Sequence, residues 1–326
     1  MREGGAENES VKKLGFDIFT YPAVGLKRNV RDIFKFIKVT ISSITKCFRK
    51  IKEYKPDRIF ATGGYVSFAP AFSGRLLKIP TFIHESNSSP GIVTKLLSRL
   101  GCMVLLNMEE TKKYFPKNKK VTVVGNPLLS DFNISKASAR QKLGISESDV
   151  LVISFGGSGG SQVMNDIIIR VMQKYCRKSH KIRHIHATGK KYFEVAKRYS
   201  PELTSGINGC RIVSYIDDMP LKLRASDIVI ARCGAMSLSE IAVCKAASIL
   251  IPSPNVTDNH QYKNGVFLEK QNAAIMIEEK DLTEGKLISE LTKLEASKDL
   301  RNSLGEKIFK TVKTDAAERI SDILLE

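Results

Sequence analysis

Apolar residues fall along this chain in short β-branched runs separated by stretches of helical periodicity. A first series comprises FDIFTY (16–21), DRIFATGG (57–64), PTFIHES (80–86), CMVLLNM (102–108) and VTVVGN (121–126). A second comprises VLVISFGG (150–157), IRHIHATG (182–189), CRIVSYI (210–216), DIVIARCG (227–234), ASILIPS (247–253) and AAIMIEE (273–279). Each run is apolar on both faces, as strands in a covered parallel sheet must be. The spacing of about 20–30 residues leaves room for one crossover helix each time. Two consecutive α/β domains with parallel sheets are therefore predicted. The boundary is placed in the polar stretch at 130–150, with a linker near 128–148 and domains over 1–135 and 136–326. A last helix is predicted over 302–325, because Leu304, Ile308, Val312, Ala316, Ile320 and Ile323 share one helical face. It is expected to bury that face, with packing back on the N-terminal domain as one option.

Composition narrows the class. The 326 residues are 42% hydrophobic and 26% charged, the balance of a globular protein with domains large enough to bury a core. No run of 18 apolar residues is present to span a bilayer, and the start, MREGGAENES, is unlike a signal peptide. Cys47, Cys102, Cys176, Cys210, Cys233 and Cys244 are scattered without a C-x-x-C pair or a suitably spaced histidine, so buried thiols in a reducing compartment are expected and no metal site. The formal charge of +18 is the one unusual number. It suits an anionic partner, but the chain has no basic–aromatic interleaving, helix-turn-helix or RNA-binding signature, and nucleic acid is not an expected partner.

Candidate chemistry lies at the ends of the strand runs. Gly156, Gly157, Gly159 and Gly160 surround Ser158 directly after VLVISF and ahead of a helical segment. Strand, glycine-rich turn and helix together aim backbone N–H groups and a helix dipole at phosphate, and a Cβ would block that approach. Gly63, Gly64 and Tyr65 follow DRIFAT in the same manner. In RCGAMSLSE (232–240), small residues let a helix N-terminus come close to a ligand, and Glu240 stands where a carboxylate suits a pair of ribose hydroxyls. His260 and Gln261 follow a proline-rich turn, and HESNSSPG (84–91) at a strand end places His84, Glu85, Asn87 and Ser88 on one loop. Polar residues at strand ends in both halves point to a ligand-binding cleft between the domains.

Taken in order, ATGGYVS (61–67), IPTFIHESN (79–87), VVGNPL (123–128), FGGSGGS (155–161), YIDDMP (215–220), RCGAMSLSE (232–240) and DNHQYKN (258–264) resemble the MurG family. These are N-acetylglucosaminyltransferases that complete the lipid-linked disaccharide of peptidoglycan. The resemblance runs from about residue 12 to the final helix. It implies the GT-B fold, two Rossmann-like domains whose parallel sheets face a cleft. It also implies inverting transfer from UDP-N-acetylglucosamine to the C4 hydroxyl of the undecaprenyl-linked muramoyl-pentapeptide, with no cofactor, at the cytoplasmic face of the membrane. Carried over by position, Ser158 and its glycines would face the diphosphate, and the Ile216 main chain the uracil edge. Ala235 and Met236 would lie against the diphosphate, with Glu240 on the ribose. Gln261, helped by His260, would hold the sugar, which Asn87 would reach from the other domain. Gly63, Gly64, Tyr65 and Glu85 would form the acceptor side.

Two departures stand out. The family's first strand runs into a further glycine-rich loop ending in histidine, the candidate general base, and MREGGAENES is neither such a strand nor such a loop. The sequence as it stands is therefore expected to transfer little sugar, and an upstream in-frame extension to restore transfer. Leu129 also stands where the family commonly has a donor-contacting arginine. A catalytically impaired copy that binds only UDP-sugar or membrane, an epimerase and a glycolipid galactosyltransferase remain alternatives.

The charge has a local counterpart. Val30, Ile33, Phe34, Ile37, Ile41, Ile44, Phe48 and Ile51 repeat at helical spacing, with Phe36 and Val39 off the stripe. Lys27, Arg28, Arg31, Lys35, Lys38, Lys46, Arg49, Lys50, Lys52 and Lys55 fill the other faces. A core-facing helix accounts for the stripe; the resemblance adds contact with an anionic leaflet.

Overall fold

Every run of the two series except FDIFTY forms a strand, and all strand pairings are parallel. The computed structural model describes residues 1–5, 8–25, 30–117, 119–128, 130–179 and 181–326, without the side chains of Ser10, Val30, Arg31 and Ser130. Lys27, Arg28 and Leu129, and the side chains of Val30 and Arg31, thus lie outside the described residues. Two compact units result, Met1–Gly125 with Ala317–Glu326, and Asn126–Ala316. The position 135 chosen from sequence falls inside the second of these.

The first unit holds β1 (Ile59–Ala61), β2 (Thr81–Glu85), β3 (Met103–Leu106) and β4 (Val121–Val123) in the order β1-β2-β3-β4. Helices α1 (Asn8–Lys13) and α2 (Val30–Tyr54) precede the sheet, and α3 (Phe68–Leu76) and α4 (Ile92–Arg99) make crossovers. β2 is buried throughout, whereas β1 and β4, at the two ends of the strand order, are only half-buried. FDIFTY does not form a strand: among the described residues it makes an isolated bridge of Tyr21 with Arg2 rather than a ladder, and Phe16 is 65% exposed.

The second unit is a Rossmann-like αβ sandwich. Its elements are α5 (Lys136–Lys142), β5 (Val150–Phe155), α6 (Gln162–Lys174), β6 (Ile182–Ala187), α7 (Lys190–Tyr199), α8 (Pro201–Ser205), β7 (Cys210–Val213), α9 (Met219–Ala225), β8 (Ile228–Ala231), α10 (Ala235–Val243), β9 (Ala247–Leu250), α11 (His260–Lys270), β10 (Ile275–Met276), α12 (Glu284–Ala296) and α13 (Lys298–Phe309). The strand order is β10-β9-β8-β5-β6-β7, so the chain winds one way from β5 and then reverses to β8. Even-numbered residues of β5 and β6 face a core with α6 and α12, and odd-numbered residues of β5 and β8 face one with α9 and α10.

The single helix expected over 302–325 is two. The chain leaves α13 through tight turns at Thr311 and Val312 and restarts as α14 (Ala316–Leu325). The break lets one apolar stripe serve two cores: Ile308 and Val312 pack in the second unit, while Ile320, Ile323 and Leu324 pack with Phe60, Phe82 and Leu105 in the first.

All six cysteines are buried. So are His184 and His186, whose pKa values burial pushes down to about 3 and about 4 from an ordinary 6.5. Each ring is neutral when folded and takes up its proton on unfolding, so the stability it contributes is present above pH 6.5 and lost as pH falls toward its folded value. Urea midpoints should therefore decline between pH 7 and pH 5, at about 1.4 kcal/mol per histidine for each pH unit below about 6.5. A His184→Leu chain should show a shallower decline. A flat profile would contradict the assignment.

Candidate functional site

In a doubly wound sheet, ligands settle at the strand C-termini where the winding reverses, here between β5 and β8. The glycine loop follows β5, and the α10 N-terminus follows β8. Within the loop, Gly157 (φ 86°) and Gly160 (φ 72°) take left-handed conformations, and a Cβ on Gly156 would stand 2.7 Å from the Ser161 nitrogen. Gly159 meets no such obstacle. Ser158 is exposed at the loop tip. Ser161 caps α6, its Oγ accepting from the Met164 N–H at 3.4 Å, so the first-turn amides open toward the loop.

Beneath the loop lies a residue whose role the sequence reading missed. Arg232, at the end of β8, is buried and donates to Ser161 Oγ (2.6 Å), to the carbonyls of Ile251 and Pro252 (3.2 Å each) and to Glu279. It ties three strand ends together. An arginine ending the apolar run DIVIAR was the available signal.

α10 starts at Ala235, which is buried, while Met236 is 41% exposed. Asn126 secures this terminus, donating from Nδ2 to Ser239 Oγ at 2.9 Å. Glu240 is half-buried about one and a half turns in. No hydrogen bond or ion pair to its carboxylate exists among the described residues. Burial raises its pKa, the mark of a carboxylate that gives up water without gaining a protein donor. After β7, the Ile216 side chain enters the core, while its backbone N–H and C=O form no hydrogen bond among the described residues.

At the start of α11, Gln261 Oε1 accepts from the Ser253 N–H at 2.9 Å, which leaves the amide NH2 to point elsewhere. His260 Nδ1 lies 2.8 Å from the Thr257 carbonyl. A carbonyl only accepts, so Nδ1 carries the proton and Nε2 is the free acceptor. A cavity of about 350 Å³ opens beside these residues, lined by Val163, Ser253, Asn259, Tyr262 and Glu279.

In the first unit, Gly63 (φ 84°) and Gly64 (φ 74°) turn the chain after β1, and Tyr65 accepts from Arg2 on its hydroxyl at 3.1 Å. Glu85 is buried and spends both carboxylate oxygens on its own loop. They accept from the Asn87 N–H (3.1 Å), Asn87 Nδ2 (3.0 Å), the Gly91 N–H (3.0 Å) and Thr94 Oγ1 (2.7 Å). His84 is likewise internal, with Nε2 on the Gly125 carbonyl at 2.8 Å and its pKa lowered by burial.

The apolar stripe of α2 divides. Ile44, Cys47 and Ile51 pack inward, whereas Ile33, Phe34, Ile37 and Ile41 are exposed, Phe34 by 72%. Phe36 and Val39, off the stripe in the sequence, instead line an apolar cavity of about 260 Å³ with Tyr65, Phe68, Ile92 and Leu96. The core-facing expectation thus holds for the second half of α2 only. No helix among the described residues is long and apolar enough to cross a membrane.

Residues 2–104 match the Glycosyltransferase family 28 N-terminal domain, and residues 150–320 its C-terminal domain. Over 327 residues the chain is 37% identical to the UDP-N-acetylglucosamine--N-acetylmuramyl-(pentapeptide) pyrophosphoryl-undecaprenol N-acetylglucosamine transferase of Caldicellulosiruptor saccharolyticus, covering 99% of this chain and 87% of that one. The transferase of the same name from Acetivibrio thermocellus is 34% identical with the same coverage. The crystal structure of Acinetobacter baumannii MurG superposes with a TM-score of 0.77 at 23% identity, covering 99% of this chain and 89% of its own.

Proposed function

Since this chain belongs to the MurG family of N-acetylglucosamine transferases, we propose that it moves N-acetylglucosamine from UDP-N-acetylglucosamine to undecaprenyl-pyrophosphoryl-muramoyl-pentapeptide in peptidoglycan synthesis. It is a hexosyltransferase of GT-B fold, with two Rossmann-like domains. The epimerase and galactosyltransferase readings are set aside, because both relatives carry the transferase name across nearly the whole chain.

One observation carries the donor assignment: a glycine loop and a second helix N-terminus flank the winding reversal, with a carboxylate behind the latter that has no partner among the described residues. The acceptor's C4 hydroxyl attacks the anomeric carbon, the bond from that carbon to the diphosphate oxygen breaks, and UDP leaves with the extra charge. The amides of the 156–161 loop and the starts of α6 and α10 are the groups that would receive this charge. Ser158, Ala235 and Met236 are assigned to the diphosphate, Ile216 to the uracil edge and Glu240 to the ribose. His260 and Gln261 are assigned to sugar hydroxyls, with Asn87 also on the sugar. Gly63, Gly64 and Tyr65 are assigned to the acceptor side, where Glu85 acts through the loop it ties. The base that takes the acceptor proton is not assigned to a residue.

The acceptor is a lipid, and we assign the exposed apolar residues of α2 and α4, flanked by Lys35 and Lys38, to the anionic cytoplasmic face of the membrane, as a peripheral attachment. Phe34→Asp should cut sedimentation with vesicles rich in anionic lipid by at least about half, while leaving UDP binding unchanged. Equal sedimentation of both chains would remove the assignment.

Donor choice tests the function itself. UDP-N-acetylglucosamine should raise the melting temperature, with a stabilisation of about 2.7 kcal/mol at 100 times its Kd. UDP-galactose at the same concentration should protect less. Equal protection by the two would contradict the N-acetylglucosamine assignment.

A further inference from the structure

Ser154 of β5 and His184 and His186 of β6 share the sheet face covered by α6, with no solvent exposure. Ser154 Oγ lies 2.7 Å from His184 Nε2 and 2.8 Å from His186 Nδ1. His186 Nε2 lies 3.1 Å from Asn165 Oδ1, and Asn165 Nδ2 donates to the Thr188 carbonyl at 3.0 Å. Only one set of directions satisfies this row. The Thr188 carbonyl can only accept, so Asn165 turns its NH2 there and its oxygen toward His186. His186 must then carry its proton on Nε2, and its bare Nδ1 accepts from the Ser154 hydroxyl. That oxygen accepts in turn from His184 Nε2–H, leaving His184 Nδ1 toward Cys176 Sγ at 3.4 Å.

The row ends at the glycine loop. A methyl on Gly160 would overlap the Thr188 carbonyl, and one on Gly189 would come within 2.8 Å of the Gly160 Cα. Asn165 also belongs to the first turn of α6, its backbone N–H donating to the Ser161 carbonyl at 2.9 Å. One amide side chain therefore joins the start of α6 to the end of β6, with the loop packed between them.

We propose that His186, held in a single tautomer by Ser154 and His184, is a positioning residue for diphosphate binding: it orients Asn165, which fixes the glycine loop and the first turn of α6. This rests on the reading of that loop as the diphosphate site. His186 touches no substrate. Without its N–H, Asn165 Oδ1 loses its donor, and the amide keeps its Nδ2 contact with Thr188 without the second bond that pins it. The nucleoside would not feel the change, because its assigned contacts are on Ile216 and Glu240.

The test uses the full chain as wild type, His186→Leu and His186→Gln, the last retaining an N–H donor for Asn165. UDP and uridine are titrated by calorimetry, and hydrogen exchange of the amides over 157–164 is followed without ligand. His186→Leu should bind UDP about tenfold more weakly, the worth of one lost hydrogen bond, and uridine within about twofold. Exchange over 157–164 should quicken, and His186→Gln should recover most of both effects. Unchanged exchange and UDP affinity in His186→Leu would overturn the proposal. So would equal weakening of UDP and uridine, or failure of His186→Gln to recover either effect. A wild-type chain that does not bind UDP would instead overturn the donor reading, and the exchange comparison would still decide the role of His186. Should His186→Leu not fold, Ser154→Ala frees the tautomer while keeping the ring; quickened exchange over 157–164 supports the proposal and unchanged exchange overturns it.

Discussion

Gly160→Ala is expected to abolish measurable UDP binding and to lower folding stability by about 2–4 kcal/mol. Two costs add at this position. Gly160 has φ 72°, where a β-carbon strains the backbone, and the new methyl would overlap the Thr188 carbonyl and press on the Tyr192 ring. The overlap is with backbone that is itself fixed, since Thr188 N–H donates to the Val213 carbonyl and its oxygen accepts from Asn165. The loop must move instead, and its amides leave the positions from which they would meet phosphate. Gly159→Ala is the control, because no atom lies within reach of its β-carbon and its φ is not left-handed. It should retain stability within about 0.5 kcal/mol. Urea unfolding and UDP titration of the two variants decide the matter. Equal behaviour would show that the loop's shape does not depend on the Gly160–Thr188 contact.

Glu240→Ala is expected to weaken UDP by about 1.5–3 kcal/mol, roughly 10- to 150-fold, the worth of charged hydrogen bonds to a pair of hydroxyls. Without ligand the variant should melt no lower than wild type. The Glu240 carboxylate is partly desolvated and has no protein partner among the described residues, so its removal relieves a cost. Its pKa is raised in the folded chain, so the folded state holds the Glu240 proton to higher pH than the unfolded one. The unfavourable contribution of the charged form is therefore present above the folded pKa and disappears as pH falls below the unfolded one. Unliganded melting unchanged or raised, together with lost thermal protection by UDP, separates a ligand contact from a structural residue. Full protection in Glu240→Ala would remove the ribose assignment.

These residues were legible in sequence because their signal is local. Four glycines around Ser158 after an apolar run state a backbone requirement, and Gly156, Gly157 and Gly160 take positions or conformations that a β-carbon would strain. Parallel strands were legible for the same reason: VLVISF is apolar on both faces because helices cover both. What stayed hidden depends on distant partners. Arg232 looked like one more residue of a small-residue motif, yet it binds Ser161, Ile251, Pro252 and Glu279, which no spacing rule brings together. Glu85 reads as a loop residue on the acceptor side, whereas it ends β2 and its carboxylate is buried among four donors. Periodicity also shows that α2 has an apolar face without showing where the protein body stops covering it. Phe34 and Ile51 carry the same pattern and opposite exposures, 72% for Phe34 and half-buried for Ile51. The break after α13 escaped notice because a continuous apolar stripe does not record a change of packing partner.

UDP-N-acetylglucosamine is expected to bind at the strand C-termini of the six-stranded sheet. Backbone amide shifts in an NMR titration of the full chain test it most directly. The expected result is saturable shifts at 157–164, Ile216, Ala235–Glu240 and His260–Gln261, matched over the nucleotide contacts by UDP alone. The same sheet carries a second cavity at its opposite, N-terminal edge, about 330 Å³ and lined by Lys136, Arg140, Lys245 and Lys298 together with Asp149 and Asp227. Shifts confined to that cavity or to the first unit, or none at saturating nucleotide, would contradict donor binding at the strand C-termini.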